Sequence, residues 1–294
     1  MSHYRHPERS ADALCRRGVE GSLFDFDRSK NAFVRPMQFA DAKQGFSSRV
    51  ADYARYRPSY PREVVQLLRE ECGLRPEHVI ADIGSGTGLL SKLFLDHGNR
   101  VFGVEPNPGM RAAGEEFLRE YANFVSVNGS AEETSLATAS VDIVTAGQAF
   151  HWFQPAAARA EFQRILKPGG WVVIAWNDRC LDGSLFAREY ESLLKRFGTD
   201  YEMVREAYPE ALTIREFLND GKLGSRDLPN HQVFDWERLC GRLWSSSYAP
   251  KEGHPNFAPM MAELQRLFAA YRRDGRVRMD YYTRIYSGQP RWKL

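Results

Sequence analysis

The spacing of apolar positions changes in a regular way along the chain. His78–Ile83 is a short, mainly apolar run that ends at Asp82-Ile83 and gives way to glycines. Over Thr87–His97, Leu89, Leu90, Leu93 and Phe94 recur at helical spacing, which predicts a helix. Arg100–Glu105 predicts a second strand. Pro108–Tyr121 predicts a second helix, with proline in the first turn where its missing N–H is no loss. Asn123–Val127 and Val141–Ala146 read as the third and fourth strands. Pro155–Leu166 predicts a helix that Lys167-Pro168-Gly169-Gly170 breaks. Gly170–Asn177 is largely apolar, as a strand buried on both faces must be. Strands alternating with helices require crossovers and therefore parallel pairing.

Beyond Asn177 the regularity is lost. Residues 183–225 predict irregular helices, followed by strands near His231–Phe234 and Arg276–Tyr286 with a helix over Pro259–Arg273 between them. The Asp274-Gly275 turn before the last strand suits a hairpin-like, antiparallel edge pair. The expected fold is α/β: a doubly wound, Rossmann-like sheet of seven strands, mostly parallel, with an antiparallel C-terminal edge pair and a helical lid. Residues 1–36 are polar, rich in arginine and without sustained periodicity. They read either as a flexible arm or as upstream sequence ahead of a natural start at Met37. Residues 37–294 are expected to form one domain, with 37–61 and 183–225 as lid segments on the substrate side.

Composition narrows the classes. At 43% hydrophobic and 27% charged, the chain has enough apolar residues for a core. The formal charge of +2 comes from 40 basic and 38 acidic residues, and the excess sits in residues 1–36, so no nucleic-acid or membrane partner is expected. Cys15, Cys72, Cys180 and Cys240 form no C-x-x-C pair and no Cys/His cluster with zinc spacing, so no metal is expected. No apolar run approaches the roughly 18 residues of a membrane helix, and no secretory h-region stands at the N-terminus. A cytoplasmic location is the expectation.

The chemistry concentrates in Val79-Ile80-Ala81-Asp82-Ile83-Gly84-Ser85-Gly86-Thr87-Gly88. An apolar strand runs into three alternating glycines and then a helix. Glycines let a ligand touch the backbone, and the helix start offers unpaired N–H groups and partial positive charge. A dinucleotide loop needs G-x-G-x-x-G, but its third position here is Leu89. Asp82 would repel a pyrophosphate and suits a cationic ligand such as a sulfonium.

This segment resembles the first motif of class I S-adenosylmethionine-dependent methyltransferases. Val101-Phe102-Gly103-Val104-Glu105-Pro106-Asn107 resembles their second-strand motif. Its terminal acid is implied to hold the ribose hydroxyls of S-adenosyl-L-methionine, as a carboxylate can. Asn128-Gly129-Ser130-Ala131-Glu132 resembles the loop that flanks adenine. Tyr53-Ala54-Arg55-Tyr56-Arg57-Pro58-Ser59-Tyr60-Pro61 and Gln148-Ala149-Phe150-His151-Trp152-Phe153 are similar to type 11 small-molecule methyltransferases, the trans-aconitate methyltransferase-like group. So are Gly241-Arg242-Leu243, Ser245–Pro250 and Tyr282-Thr283-Arg284. The resemblance covers about residues 45–288. It implies cofactor binding by Tyr53, Arg57, Asp82, Gly84, Ser85, Gly86, Gly88, Glu105, Pro106, Ala131, Glu132 and Gln148, with Arg57 near the cofactor carboxylate.

The implied reaction is in-line methyl transfer to a small-molecule acceptor, in which proximity and orientation supply much of the barrier reduction. His151 is the catalytic candidate if the acceptor must lose a proton. It follows the fourth strand, where α/β folds place ligands, and an imidazole titrates near neutrality. Phe150 and Trp152 are candidates for the pocket wall. Two other readings stay open at this stage: a protein that binds S-adenosylmethionine without methyl transfer, and a nicotinamide-dependent oxidoreductase, which Asp82 and Leu89 disfavour.

Overall fold

The computed structural model describes residues 55–206, 211–218 and 223–292. Seven strands form one sheet in the order β3-β2-β1-β4-β5-β7-β6. They are β1 Val79–Ile83, β2 Arg100–Val104, β3 Phe124–Val127, β4 Val141–Gly147, β5 Leu166–Arg179, β6 Gly224–Phe234 and β7 Val277–Gly288. The first five pair in parallel. β7 pairs antiparallel with both β5 and β6. The doubly wound sheet with an antiparallel C-terminal pair is as expected from the sequence.

Period-two alternation divides the strands between two apolar layers. Ala81 and Ile83 of β1 join one layer and Ile80 the other. Val144 and Ala146 of β4 follow the first, Ile143 the second. The helices close both faces: α1 Glu63–Cys72, α2 Leu89–Asp96, α3 Pro108–Phe117 and α4 Pro155–Ile165. Val64, Leu68 and Cys72 make the buried stripe of α1; Ala158, Phe162 and Ile165 make that of α4. Each fully buried aliphatic side chain contributes about 1.5–3 kcal/mol. α3 starts where Asn107 Oδ1 accepts from the N–H groups of Gly109 and Met110.

A third apolar cluster lies in the C-terminal half. It joins α5 Leu185–Phe197, α6 Tyr201–Glu206, α8 Trp236–Trp244, α9 Phe257–Tyr271 and the inner face of β7. The short α7 Ala211–Leu218 instead packs Ile214, Phe217 and Leu218 on the first cluster. Among the described residues of 183–225 three helices occur, the last being Ala211–Leu218, and β6 already starts at Gly224.

Two local expectations are corrected. Lys167-Pro168-Gly169-Gly170 does not separate α4 from β5. Strand β5 starts at Leu166, and the four residues form an irregularity inside it, because the register jumps from Val141↔Leu166 to Ile143↔Trp171. The Asp274-Gly275 turn does not join a hairpin. It links α9 to β7, while β6, the partner of β7, precedes both α8 and α9. Local turn chemistry cannot report a partner so far back in the chain.

Candidate cofactor site

Strand order reverses between β1 and β4, and a crevice opens beyond their carboxyl ends, as expected for a doubly wound sheet. Its volume is about 460 Å³, including space open to solvent. One wall is Asp82 with the loop Gly84–Thr87 and the start of α2. A second is Gly147 and Gln148 after β4. Arg57, Pro58 and Tyr60, from ahead of α1, and Asn177 of β5 complete it.

The loop is held by β2. The N–H groups of Gly84 and Ser85 both donate to Val104 O, at 2.9 and 3.1 Å. Gly84, Gly86 and Gly88 all have positive φ, at 66°, 57° and 85°, which an L side chain would resist. Gly88 caps α2 with no side-chain hydrogen bond.

The two acids of the sequence motifs are buried. Asp82 is 1% exposed, and its oxygens accept from Ser91 Oγ at 2.6 Å and Thr145 Oγ1 at 3.0 Å. Burial pushes its carboxyl up, and the hydroxyl bonds offset part of this, leaving it at about 6. Glu105, 8% exposed, accepts from Asn107 N at 2.8 Å and Gly86 N at 2.9 Å, one bond on each oxygen. Burial raises it as well, opposed by those two N–H groups. A carboxylate has about four lone-pair sites, so each Glu105 oxygen retains one.

Gln148 carries strain and an unmet acceptor. Its φ is +55°, rare for a residue with a side chain. Nε2 donates to Asn177 O at 3.2 Å, but the buried Oε1 has no hydrogen-bond partner. The buried Thr87 Oγ1 is also without one. Buried polar atoms left this way call for a ligand or water. Asp82, Arg57 and the unfilled Gln148 acceptor, all lining one crevice, fit a ligand with cationic, anionic and hydroxyl groups, as S-adenosylmethionine has.

Gly88, Glu105, Pro106, Ala131, Glu132 and His151, also candidates in the sequence, are not among the residues that line the crevice. Pro106 follows Glu105 at the end of β2. Ala131 is buried in the layer below. Glu132 Oε1 accepts from Gln154 N at 2.8 Å and so ties the loop after β3 to the start of α4. His151 lies in a short 3-10 turn, Phe150–Trp152, against the rings of Trp152 and Trp176, with centroids at 4.5 and 5.3 Å. Burial lowers its imidazole to about 3. Tyr53 lies outside the described residues. Sequence reasoning did not single out Tyr60 or Asn177 for the crevice. Tyr60 stood within a quoted motif, and Asn177 was recognisable as the polar end of an apolar strand.

Among the described residues no group of His, Cys, Asp and Glu is arranged to hold a metal ion, and no helix is long and apolar enough to cross a membrane.

Comparison with known proteins agrees with the geometry. The methyltransferase domain family matches residues 81–174. A methyltransferase of Mycobacterium bovis, itself uncharacterised, is 37% identical over 174 residues, 59% of this chain and 68% of that protein. A protein of Anabaena variabilis assigned as a methyltransferase from an antibiotic biosynthesis pathway shares the fold at 21% identity and a TM-score of 0.56, over 80% of this chain and 99% of that one. So does phosphoethanolamine N-methyltransferase 2 of Haemonchus contortus, solved with S-adenosyl-L-methionine, at 17% identity and a TM-score of 0.51, over 86% and 59% of the two chains. The loop on β1, the paired acids and these relatives lead to one conclusion: the chain belongs to the class I S-adenosylmethionine-dependent methyltransferases.

Proposed function

We propose that this methyltransferase binds its cofactor in the crevice above β1 and β4 and transfers the methyl group to a small-molecule acceptor. The observation that carries the reading is the pair of buried, partnerless atoms Gln148 Oε1 and Thr87 Oγ1 in that crevice. A small acceptor is supported by the balanced charge outside residues 1–36.

Bound there, the cofactor supplies an electrophilic sulfonium methyl. The residues of the chain bind and orient. Glu105 accepts from the ribose hydroxyls through its remaining lone pairs, while Gly86 and Asn107 hold its carboxylate still. Gly84, Ser85, Gly86 and Gly88 bring backbone close to the ligand. Pro106, Ala131 and Glu132 frame the adenine side. Gln148 Oε1 accepts from the ammonium, and Arg57 faces the carboxylate end, with Tyr53 as a further candidate. Asp82 lines the crevice toward the cationic part of the ligand and also serves the fold. Its oxygens are engaged by Ser91 and Thr145, so it pins α2 to β1 and β4 and lends the crevice negative potential.

His151 is read as a neutral part of the acceptor wall. With its pKa near 3 it does not hold a proton at neutral pH and is a weak base there. Alignment of acceptor and methyl group then supplies most of the acceleration.

Two measurements test this. Calorimetric titration with S-adenosylhomocysteine should show one site per chain. Incubation with methyl-labelled cofactor and a cell extract should place label in the small-molecule fraction. Label confined to protein or nucleic acid would refute the acceptor class.

A further inference from the structure

Two arginines are buried with little negative charge beside them among the described residues. Arg242 of α8 is 4% exposed. Its Nη1 donates to Ser246 Oγ at 3.0 Å, its Nε meets no acceptor, and no carboxylate of the described residues lies within ion-pair distance. Arg179, at the end of β5, donates from Nη2 to Glu191 Oε2 at 2.8 Å and to Tyr201 OH at 2.5 Å. Its Nη1 reaches Tyr248 OH at 3.4 Å, and its Nε also meets no acceptor. Glu191 is thus the one carboxylate paired with the two guanidiniums among the described residues. A guanidinium keeps its charge in a protein, and burying one without a counter-charge is costly.

The cluster connects to the crevice through β5 and Arg57, although neither Arg179 nor Arg242 lines it. Arg179 stands two residues beyond the crevice-lining Asn177 and on the same face of β5. Arg57 lines the crevice itself and donates to Ser245 O, at the end of α8, at 2.8 Å. We propose that Arg179 and Arg242 form a subsite for a negatively charged group of the methyl acceptor, a carboxylate or a phosphate, closed on one side by the Tyr248 hydroxyl. The guanidinium fork matches the oxygens of either group. The proposal rests on the crevice being the cofactor site.

Tyr248 supplies a signal. Burial pushes its phenol up, but Arg179, Arg242 and Arg57 outweigh this and bring it down to about 7. The groups around it are Arg57 ahead of α1, Arg179 on β5, Tyr190 and Glu191 on α5, Tyr201 on α6, Arg242 and Ser246 at α8, and Tyr281 on β7. With the subsite empty, a Tyr248 phenolate provides part of the missing negative charge. A bound anion takes that place, and Tyr248 takes up a proton from solvent.

The test uses the full-length protein with S-adenosylhomocysteine bound, at about pH 8, where an ordinary tyrosine is protonated. Succinate and inorganic phosphate are titrated separately, with succinamide as the neutral control, following the tyrosinate ultraviolet band and the heat of binding. Succinate or phosphate should bind and quench the band saturably, the stronger of the two identifying carboxylate or phosphate; succinamide should do neither. Tyr248→Phe should lack the band. Arg242→Met should weaken anion binding by about 30-fold or more, and Arg242→Lys by less. Should Arg242→Met not fold, the wild-type titration and Arg242→Lys decide. If neither anion binds, or Arg242→Met binds as wild type does, the subsite is refuted while the cofactor reading stands. Failure of S-adenosylhomocysteine itself to bind would overturn the cofactor reading instead.

Discussion

Two regions of the molecule, on either flank of the sheet's carboxyl end near the crevice, treat buried charge in opposite ways. On the β1–β2 side, Asp82 and Glu105 are buried acids satisfied by neutral donors: hydroxyls for Asp82 and backbone N–H groups for Glu105. On the β5–α8 side, Arg179 and Arg242 are buried cations among tyrosines, with one paired carboxylate among the described residues. The buried acids of the first side each have donors on both oxygens, and those bonds hold the loop in shape. The arginine side has buried donors without acceptors. Under the proposed reading the buried acids favour a cationic methyl donor and the buried arginines an anionic acceptor, because each favours the ligand of opposite sign.

The largest expected effect tests how the arginine side is packed. A Cβ on Gly241 would lie 2.2 Å from Tyr56 Cε2. Tyr56 is 6% exposed and adjoins Arg57. Gly241→Ala should therefore displace the ring and cost about 3 kcal/mol, the upper end of the overpacking range, in chemical denaturation. A cost below about 0.5 kcal/mol would show that this side is loosely packed.

The next tests the acid side. The unfolded Asp82 carboxyl titrates near 3.8 and the folded one at about 6, so the native state holds the proton more tightly. Its contribution to stability is present below pH 3.8 and is lost as pH rises through about 6. Asp82→Asn removes this loss. Relative to wild type, it should be more stable at pH 7 than at pH 4 by on the order of 2–3 kcal/mol, read from denaturation at both pH values. An unchanged difference would mean that the Asp82 carboxylate is better solvated than its burial implies.

Glu105→Ala should raise the dissociation constant for S-adenosylhomocysteine by about 10- to 100-fold, corresponding to lost charge-assisted hydrogen bonds. Unchanged affinity in calorimetry would remove Glu105 from the ribose contact.

The smallest effect concerns the support of the acid side. Glu161 on α4 accepts from Arg164 and from the N–H and hydroxyl of Thr134, in the loop that follows β3. The Arg164 bonds lead in lowering its carboxyl, against burial and with help from Thr134, to about 2 from 4.5 unfolded. Its stabilisation is present above pH 4.5 and is lost as pH falls toward 2. Glu161→Gln should cost about 1–2 kcal/mol at pH 7, and the cost should shrink below pH 4.5. A pH-independent cost would trace to packing rather than charge.

What could be read from the sequence follows from the range of each interaction. The loop Gly84–Gly88, its flanking strand and helix, and the acid at the end of β2 are set by neighbours a few residues away, so periodicity and glycine placement reveal them. The alternation of strands and helices implied the parallel sheet for the same reason. Tertiary structure alone decided that β7 inserts between β5 and β6, since that pairing skips two helices. It also decided that buried Asp82 accepts from Ser91 and Thr145, and that Arg57, Arg179, Arg242 and Tyr248 converge. Arg242 stood in a recognisable segment, but its charge environment comes from residues up to 63 positions away, at Arg179. A buried charge is defined by what surrounds it in space, and a linear pattern does not carry that information.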